Sequence, residues 1–233
     1  MRFLPATCLA LASLSPQPSL GEAKLPVVVE LFTSQGCSSC PPADAMLRDL
    51  ARMDGVIALS LHVDYWDYIG WPDSFASPVH SARQEAYAKD AGERMVYTPQ
   101  VIVGGQDRLI GGDAISVMER INAHADLRTP VDLRLRRDGD RVLIEASALP
   151  LPHPLEVQVV RYVPEDEVVI TGGENAGLVM SYTNIVTSWE TLGAWTGEAA
   201  LDLDVPLVGT EPLVVLLQEP GPSRIRAAAM IDP

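Results

Sequence analysis

Cys37 and Cys40 are separated only by Ser38 and Ser39, followed at once by Pro41 and Pro42, and preceded by the run Val27-Val28-Val29-Glu30-Leu31-Phe32. Two thiols at this spacing, where a strand feeds a helix, can exchange a disulfide with another protein. At the first turn of a helix the backbone N–H groups and the positive end of the macrodipole favour a thiolate, and the thiolate is the nucleophile. Cys37 is therefore the candidate attacking sulfur and Cys40 the resolving one. A structural disulfide and half of a zinc site are the competing readings. A structural zinc site usually takes four protein ligands, and no second cysteine pair exists to supply them. Exchange is the favoured chemistry.

The elements that must hold these residues are visible in the hydrophobic pattern. Val27 to Phe32 is β-branched or apolar almost without break, as in a strand buried on both faces of a parallel sheet. Ala43, Met46, Leu47, Leu50 and Ala51 recur at helical spacing until Gly55. Val56 to Val63 is a second buried strand, ending in His62-Val63-Asp64. Strand, helix, strand makes a βαβ unit with a right-handed connection. Tyr65 to Asp73, aromatic and broken by Gly70 and Pro72, reads as a loop or lid. Ser77-Pro78 starts a helix that Gly92 closes. Tyr97-Thr98-Pro99-Gln100 then opens a hairpin that turns at Gly104-Gly105, and Asp113 caps a last helix ending near Ala125.

Beyond Thr129-Pro130 the texture changes. Val131, Leu133 and Leu135 alternate with polar residues, Asp138-Gly139 offers a hairpin turn, and five further short strands are spaced to the end of the chain. Gly172-Gly173-Glu174-Asn175-Ala176-Gly177 is a turn with left-handed glycines; it precedes a strand and lacks the spacing of a dinucleotide fingerprint. Tyr182, Trp189 and Trp195 are expected in the core or between domains. The expected division is an export signal over 1–23, an α/β domain over 24–128, and an all-β, antiparallel sandwich-like domain over 129–233.

The 233 residues carry a formal net charge of -14, with 47% hydrophobic residues. That hydrophobic content allows a sizeable core. Nucleic acid is an unsuitable partner, because phosphate binding draws on clusters of Lys and Arg that this chain lacks. Arg2, the apolar stretch Phe3 to Leu14 and the small residues Gly21-Glu22-Ala23 read as a cleavable export signal. The stretch is too short and too broken by Pro5, Pro16 and Pro18 to span a membrane. The expected location is the periplasm or the exterior, and removal of the signal takes Cys8 with it. The mature chain then has Cys37 and Cys40 alone, a pair closing so short a loop that it restrains the unfolded state little.

The order of elements, with C-x-x-C at a helix start and Thr-Pro before a hairpin, resembles the thioredoxin fold over roughly residues 24–126. Glu30 to Pro42, His62-Val63-Asp64-Tyr65-Trp66-Asp67 and Tyr97-Thr98-Pro99-Gln100 together resemble the DUF1223 family of secreted thioredoxin-like proteins. The resemblance implies exchange with exported protein thiols or disulfides and no cofactor beyond the redox-active disulfide. It implies a cis Pro99 beside the dithiol, Thr98 presenting its backbone to an extended substrate peptide, and Glu30 as a buried acid taking the proton of the second cysteine. The chain departs from thioredoxin in lacking a tryptophan before Cys37 and in carrying Ser-Ser between the cysteines. The direction of exchange is therefore open. Two other function classes stand beside this one. Cys37, Cys40 and His62 can make a Cu(I) site, since thiolate and imidazole suit that ion; or the chain is an interaction module whose disulfide only shapes a loop. Asp64, Tyr65, Trp66 and Asp67, at the carboxyl end of a strand, are candidates to line the thiol site.

Overall fold

In the computed structural model, which describes residues 23–207, 209 and 211–232, a short strand β1 (Ala23–Lys24) leads into β2 (Val27–Thr33), α1 (Pro41–Leu50), β3 (Val56–His62) and α2 (Pro78–Asp90). Next come β4 (Gln100–Val103), β5 (Asp107–Ile110) and α3 (Ala114–Ala125). The remainder is strand: β6 (Arg128–Thr129), β7 (Leu133–Asp138), β8 (Arg141–Ala146), β9 (Leu155–Val169), β10 (Val179–Trp195), β11 (Leu201–Pro206), β12 (Leu213–Gln218) and β13 (Ile225–Ile231). The expected export signal, apart from Ala23 in β1, lies outside the described residues.

This is a mixed α/β fold dominated by one eight-stranded sheet, in the order β13-β12-β9-β10-β3-β2-β4-β5. β2 runs parallel to β3 in the register Val27↔Val56 to Thr33↔His62. All seven residues of β2 are buried, and their alternation sends them to opposite faces. Val27, Val29 and Leu31 meet Ala43, Leu47 and Leu50 of α1, whereas Val28 and Phe32 meet Tyr87 of α2. Local chemistry sets the helix starts. The Ser77 hydroxyl accepts from the Val79 N–H with Pro78 in the first turn, and Asp113 accepts from the Ser116 N–H.

The separate antiparallel sandwich expected after Thr129 is not what forms. β9, β10, β12 and β13 extend the sheet begun by β2 and β3, while β7, β8 and β11 make a separate three-stranded sheet and β6 pairs with β1 in a two-stranded one. Val142, Ile144, Leu201 and Val205 of that sheet pack on Val157, Val159, Val215 and Leu217. The opposite faces of the same long strands supply Val160, Tyr162, Val214 and Leu216 to the core under α2. A strand used on both faces needs an unbroken apolar run, and Leu213-Val214-Val215-Leu216-Leu217 is one. The seam between the halves is a parallel pairing of β10 with β3 at Ile185↔Ser60. Asn184, at φ 50°, turns its side-chain amide onto the Ala58 carbonyl at 2.8 Å.

Candidate functional site

Cys40 is the N-cap of α1, and Cys37 and Cys40 are joined as a disulfide with their Cα atoms 5.4 Å apart. The Cys40 carbonyl accepts the Ala43 and Asp44 N–H groups, while Pro41 and Pro42 offer none. The helix start thus favours a thiolate through its dipole more than through direct donors. Ser38 and Ser39 are exposed, but Cys37 is only 1% exposed and Cys40 0%.

The open side of this loop is a groove of about 470 Å³ lined by Ser39, Tyr97, Thr98, Pro99, Ile110 and Gly112. The Thr98–Pro99 bond is cis, as the resemblance implies. Trp66 Nε1 donates to Thr98 Oγ1 at 2.7 Å, fixing that side chain from the loop after β3. A Cβ on Gly111 would stand 2.7 Å from the Pro99 Cβ and 3.1 Å from the Ala43 Cβ. Only glycine lets the end of the hairpin close on Pro99 and α1 together. A larger cavity, about 830 Å³, lies between α2 and Trp189 and has no cysteine in its wall.

Glu30 is not brought to the dithiol. It lies on the face of β2 shared by Val28 and Phe32, away from α1, and its carboxylate accepts two bonds from Arg83 at 2.6 and 2.9 Å and one from the Tyr87 hydroxyl at 2.7 Å. The guanidinium also reaches Gln218 and sits 3.7 Å over the Trp189 ring. This is a buried structural ion pair tying β2, α2, β10 and β12. One residue of strand spacing reverses the face, and that single step moves Glu30 from under the cysteines to the other side of the sheet.

The carboxylate on the cysteine side is Asp44. It stands four residues after Cys40 on α1, a spacing that stacks side chains on one helix face and tilts the later one towards the earlier. Asp44 Oδ1 accepts from Thr33 Oγ1 at 2.8 Å, and its buried Oδ2 has no hydrogen-bond partner. Burial pushes its carboxyl up to about 6 against the opposing pull of His62, the Thr33 hydrogen bond and Arg48; Asp73 adds to the rise. His62, on the same face of β3, gives Nδ1 to Asp73 Oδ2 at 2.7 Å and leaves buried Nε2 without a partner. Its ring is edge-on to Phe75 and Tyr182. Among the described residues no three His, Cys, Asp or Glu side chains are grouped to hold a metal ion.

Two loops cover the cysteines. In the loop after β3, Asp73 Oδ2 also accepts the Gln35 N–H at 2.8 Å. Trp71 Nε1 donates to Gln35 Oε1 at 2.8 Å, and Gln35 Nε2 donates to the Ser74 hydroxyl at 3.0 Å. Asp64 accepts from the Ser81 hydroxyl of α2 and Asp67 from the Asp73 N–H within the loop, so both hold the loop's framework. From the second half, Asn175 Nδ2 donates to the carbonyls of Gln35 at 2.8 Å and Cys37 at 3.1 Å.

A family model described as a protein of unknown function (DUF1223) matches residues 28–218. The chain belongs to the DUF1223 family. The matched span holds the disulfide, Asp44, His62, Asp73 and Asn175 alike, so this DUF1223 site draws on both halves of the fold. A structural genomics target from Agrobacterium tumefaciens has a similar structure at TM-score 0.77 and 34% identity, over 91% of this chain and 96% of that one. HBP35 of Porphyromonas gingivalis is similar in fold, at TM-score 0.67 and 16% identity over 91% of this chain and 76% of that one. No curated protein matches the sequence. No helix among the described residues is long and apolar enough to cross a membrane.

Gln35 and Asn175 fall within segments the sequence marks, Glu30 to Pro42 and the turn Gly172 to Gly177, and Asp73 ends the loop from Tyr65, but no motif gives these residues or Asp44 a place at the site. Asp44 alone had a signal: it falls on the apolar stripe of α1, one turn after Cys40 and three residues before Leu47.

Proposed function

We propose that this DUF1223 protein exchanges its Cys37–Cys40 disulfide with thiols of exported protein substrates, in the periplasm or outside the cell. The reading places the chemistry on a thioredoxin-like unit made of β2, α1, β3, α2, β4, β5 and α3. The observation that carries it is a disulfide at the start of α1 with a groove beside its loop walled by Ser39, Thr98, Pro99, Tyr97 and Ile110. An extended peptide with apolar side chains suits that groove. A substrate thiolate attacks Cys37 Sγ, a substrate–Cys37 disulfide forms, and Cys40 Sγ leaves with the electron pair. The Asp44 carboxyl supplies its proton. A second substrate thiolate then attacks its own sulfur of the mixed disulfide, releasing Cys37 as a thiolate. The net result is a substrate disulfide and a protein dithiol; in the opposite direction Asp44 takes the proton from Cys40 before it attacks.

The test is exchange with a dithiol peptide and a disulfide peptide, followed by mass. Cys37→Ser abolishes exchange in both directions, and Cys40→Ser accumulates the mixed disulfide with substrate. Absence of any exchange by the wild type, with its disulfide demonstrably present, overturns the reading. Chelator-competed Cu(I) titration of the reduced chain and of His62→Ala separates a metal-binding role, which predicts a His62-dependent affinity.

A further inference from the structure

Cys37 is covered in the oxidised protein, yet an incoming thiolate must approach its sulfur along the S–S axis. Some part of the cover has to move. The loop over residues 64–76 is bolted down by several side-chain hydrogen bonds: buried Asp73 to Gln35 and His62, and half-buried Trp71 to Gln35 and Trp66 to Thr98. The turn joining β9 to β10 is held differently. It closes on itself through Ile170 N–H to Leu178 O, Gly177 N–H to Ile170 O and Leu178 N–H to Asn175 O. Its side-chain hold on the cysteine loop is the one amide of Asn175, which is 4% exposed and bridges the Gln35 and Cys37 carbonyls. Around it Thr171, Glu174, Ala176, Gly177 and Leu178 are exposed. At its base Ile170 is fully buried among Met180, Tyr182, Ile185, Trp71 and Phe75, and the turn itself meets the loop after β3 through a close fit of two glycines. A Cβ on Gly172 would stand 2.8 Å from the Gly70 carbonyl oxygen, and one on Gly173 would stand 3.1 Å from the Trp71 Cβ.

We propose that residues 171–178 form a removable cover over Cys37, latched by Asn175, so that the second half of the chain sets access to the disulfide. The cover lifts as a unit about the anchored Ile170, because its backbone bonds are internal. Asn175 is a positioning residue: it touches the carbonyls of the cysteine loop and not the reacting sulfurs. The inference rests on the reading that Cys37 is the attacked sulfur, and it assigns the β-strand half a role in choosing substrates that can displace or bypass the cover.

The experiment measures reduction of the oxidised full chain by dithiothreitol, quenched by alkylation and read by mass. Each turnover converts dithiothreitol to its cyclic disulfide and leaves Cys37 and Cys40 as thiols. Asn175→Ala removes two hydrogen bonds and is expected to speed reduction about tenfold. Gly172→Ala loosens the same cover through a different contact and speeds it in the same sense. The equilibrium midpoint against dithiothreitol redox buffers moves by less than the rate. Circular dichroism confirms that each variant is folded, and either variant alone suffices if the other is not. Unchanged rates in the folded variants overturn the proposal. So does a midpoint shift equal to the rate change, because Asn175 would then act on the stability of the disulfide and not on access to it. Faster reduction of the variants by dithiothreitol, with no exchange on protein thiols, upholds the cover while removing the exchange function.

Discussion

Asp44 is a buried carboxyl that ties the proposed exchange to the pH response of the fold. Its proton is held more tightly in the fold than in the unfolded chain, since burial raises it from an ordinary 3.8 to about 6. Between those values the native state keeps a proton that the unfolded state has lost, so stability falls as pH rises through that window. The full effect is at most about 3 kcal/mol, and it is complete above the native value. The groups facing Asp44 are Arg48 on its own helix, Thr33 of β2, His62 of β3, Asp73 of the loop after it and Tyr182 of β10. Asp44→Asn is therefore expected to raise stability at pH 7 by about 1–3 kcal/mol, measured by urea unfolding, and to flatten its dependence on pH between 4 and 6. In the proposed exchange the same substitution removes the carboxylate that would receive the Cys40 proton. In the direction where Cys40 attacks, the wild-type rate rises through an inflection at about pH 6, whereas Asp44→Asn is slower and lacks that inflection. A residue acting only through packing moves stability and leaves the pH profile of the rate in place.

At the scale of elements, the seam between β3 and β10 depends on Asn184. Its backbone is left-handed, a conformation that costs most L-residues about 1–2 kcal/mol and asparagine less. Its amide also satisfies the Ala58 carbonyl, which belongs to a buried residue. Asn184→Val loses the bond and gains the backbone cost, an expected destabilisation of about 2–4 kcal/mol by urea unfolding. Asn184→Gly loses only the bond, so it is expected to cost less than Asn184→Val; the reverse order would show that the backbone conformation is unimportant. The seam also marks where sequence stops being legible. Helix starts at Cys40-Pro41, Ser77-Pro78 and Asp113 are readable because caps and prolines act within a few residues. The buried strands β2 and β3 are readable from unbroken apolar runs. The pairing of Ile185 with Ser60 has no local signature, and so the sequence alone puts β10 and its neighbours in a separate layer. The apolar run Leu213–Leu217 was the available hint that a strand there is buried on both faces. At the site, the C-x-x-C and Thr98-Pro99 are legible as motifs. Glu30 was misplaced because residue type says nothing of face, and Asn175 is an ordinary turn residue until the fold sets it against Cys37.

At the scale of the molecule, the continuous sheet makes the two halves one cooperative structure. The core under α2 takes Val160, Tyr162, Val186, Val214, Leu216, Ile225 and Ala228 from beyond residue 128, beside Phe32, Leu59, Leu61 and Tyr87 from before it. Each large apolar side chain is worth about 1.5–3 kcal/mol when buried, so exposing even a few of them removes a large share of the about 5–15 kcal/mol of net stability typical of a folded chain. A fragment of residues 24–128 also leaves the edge of β3 open where β10 pairs, and it deprives Arg83 of Gln218 and Trp189 while Glu30 remains buried against it. The fragment is expected to lack a cooperative unfolding transition, and the chain over 24–233 is expected to unfold in one step with coincident near- and far-ultraviolet circular dichroism. A fragment that melts cooperatively near the temperature of the whole chain would show that the sheet is continuous in geometry but not in energy. Mixing fragments 24–128 and 129–233 sharpens the distinction: recovery of the single transition on mixing means that the β3–β10 seam, and not the covalent link at residue 128, joins the site to the cover that lies over it.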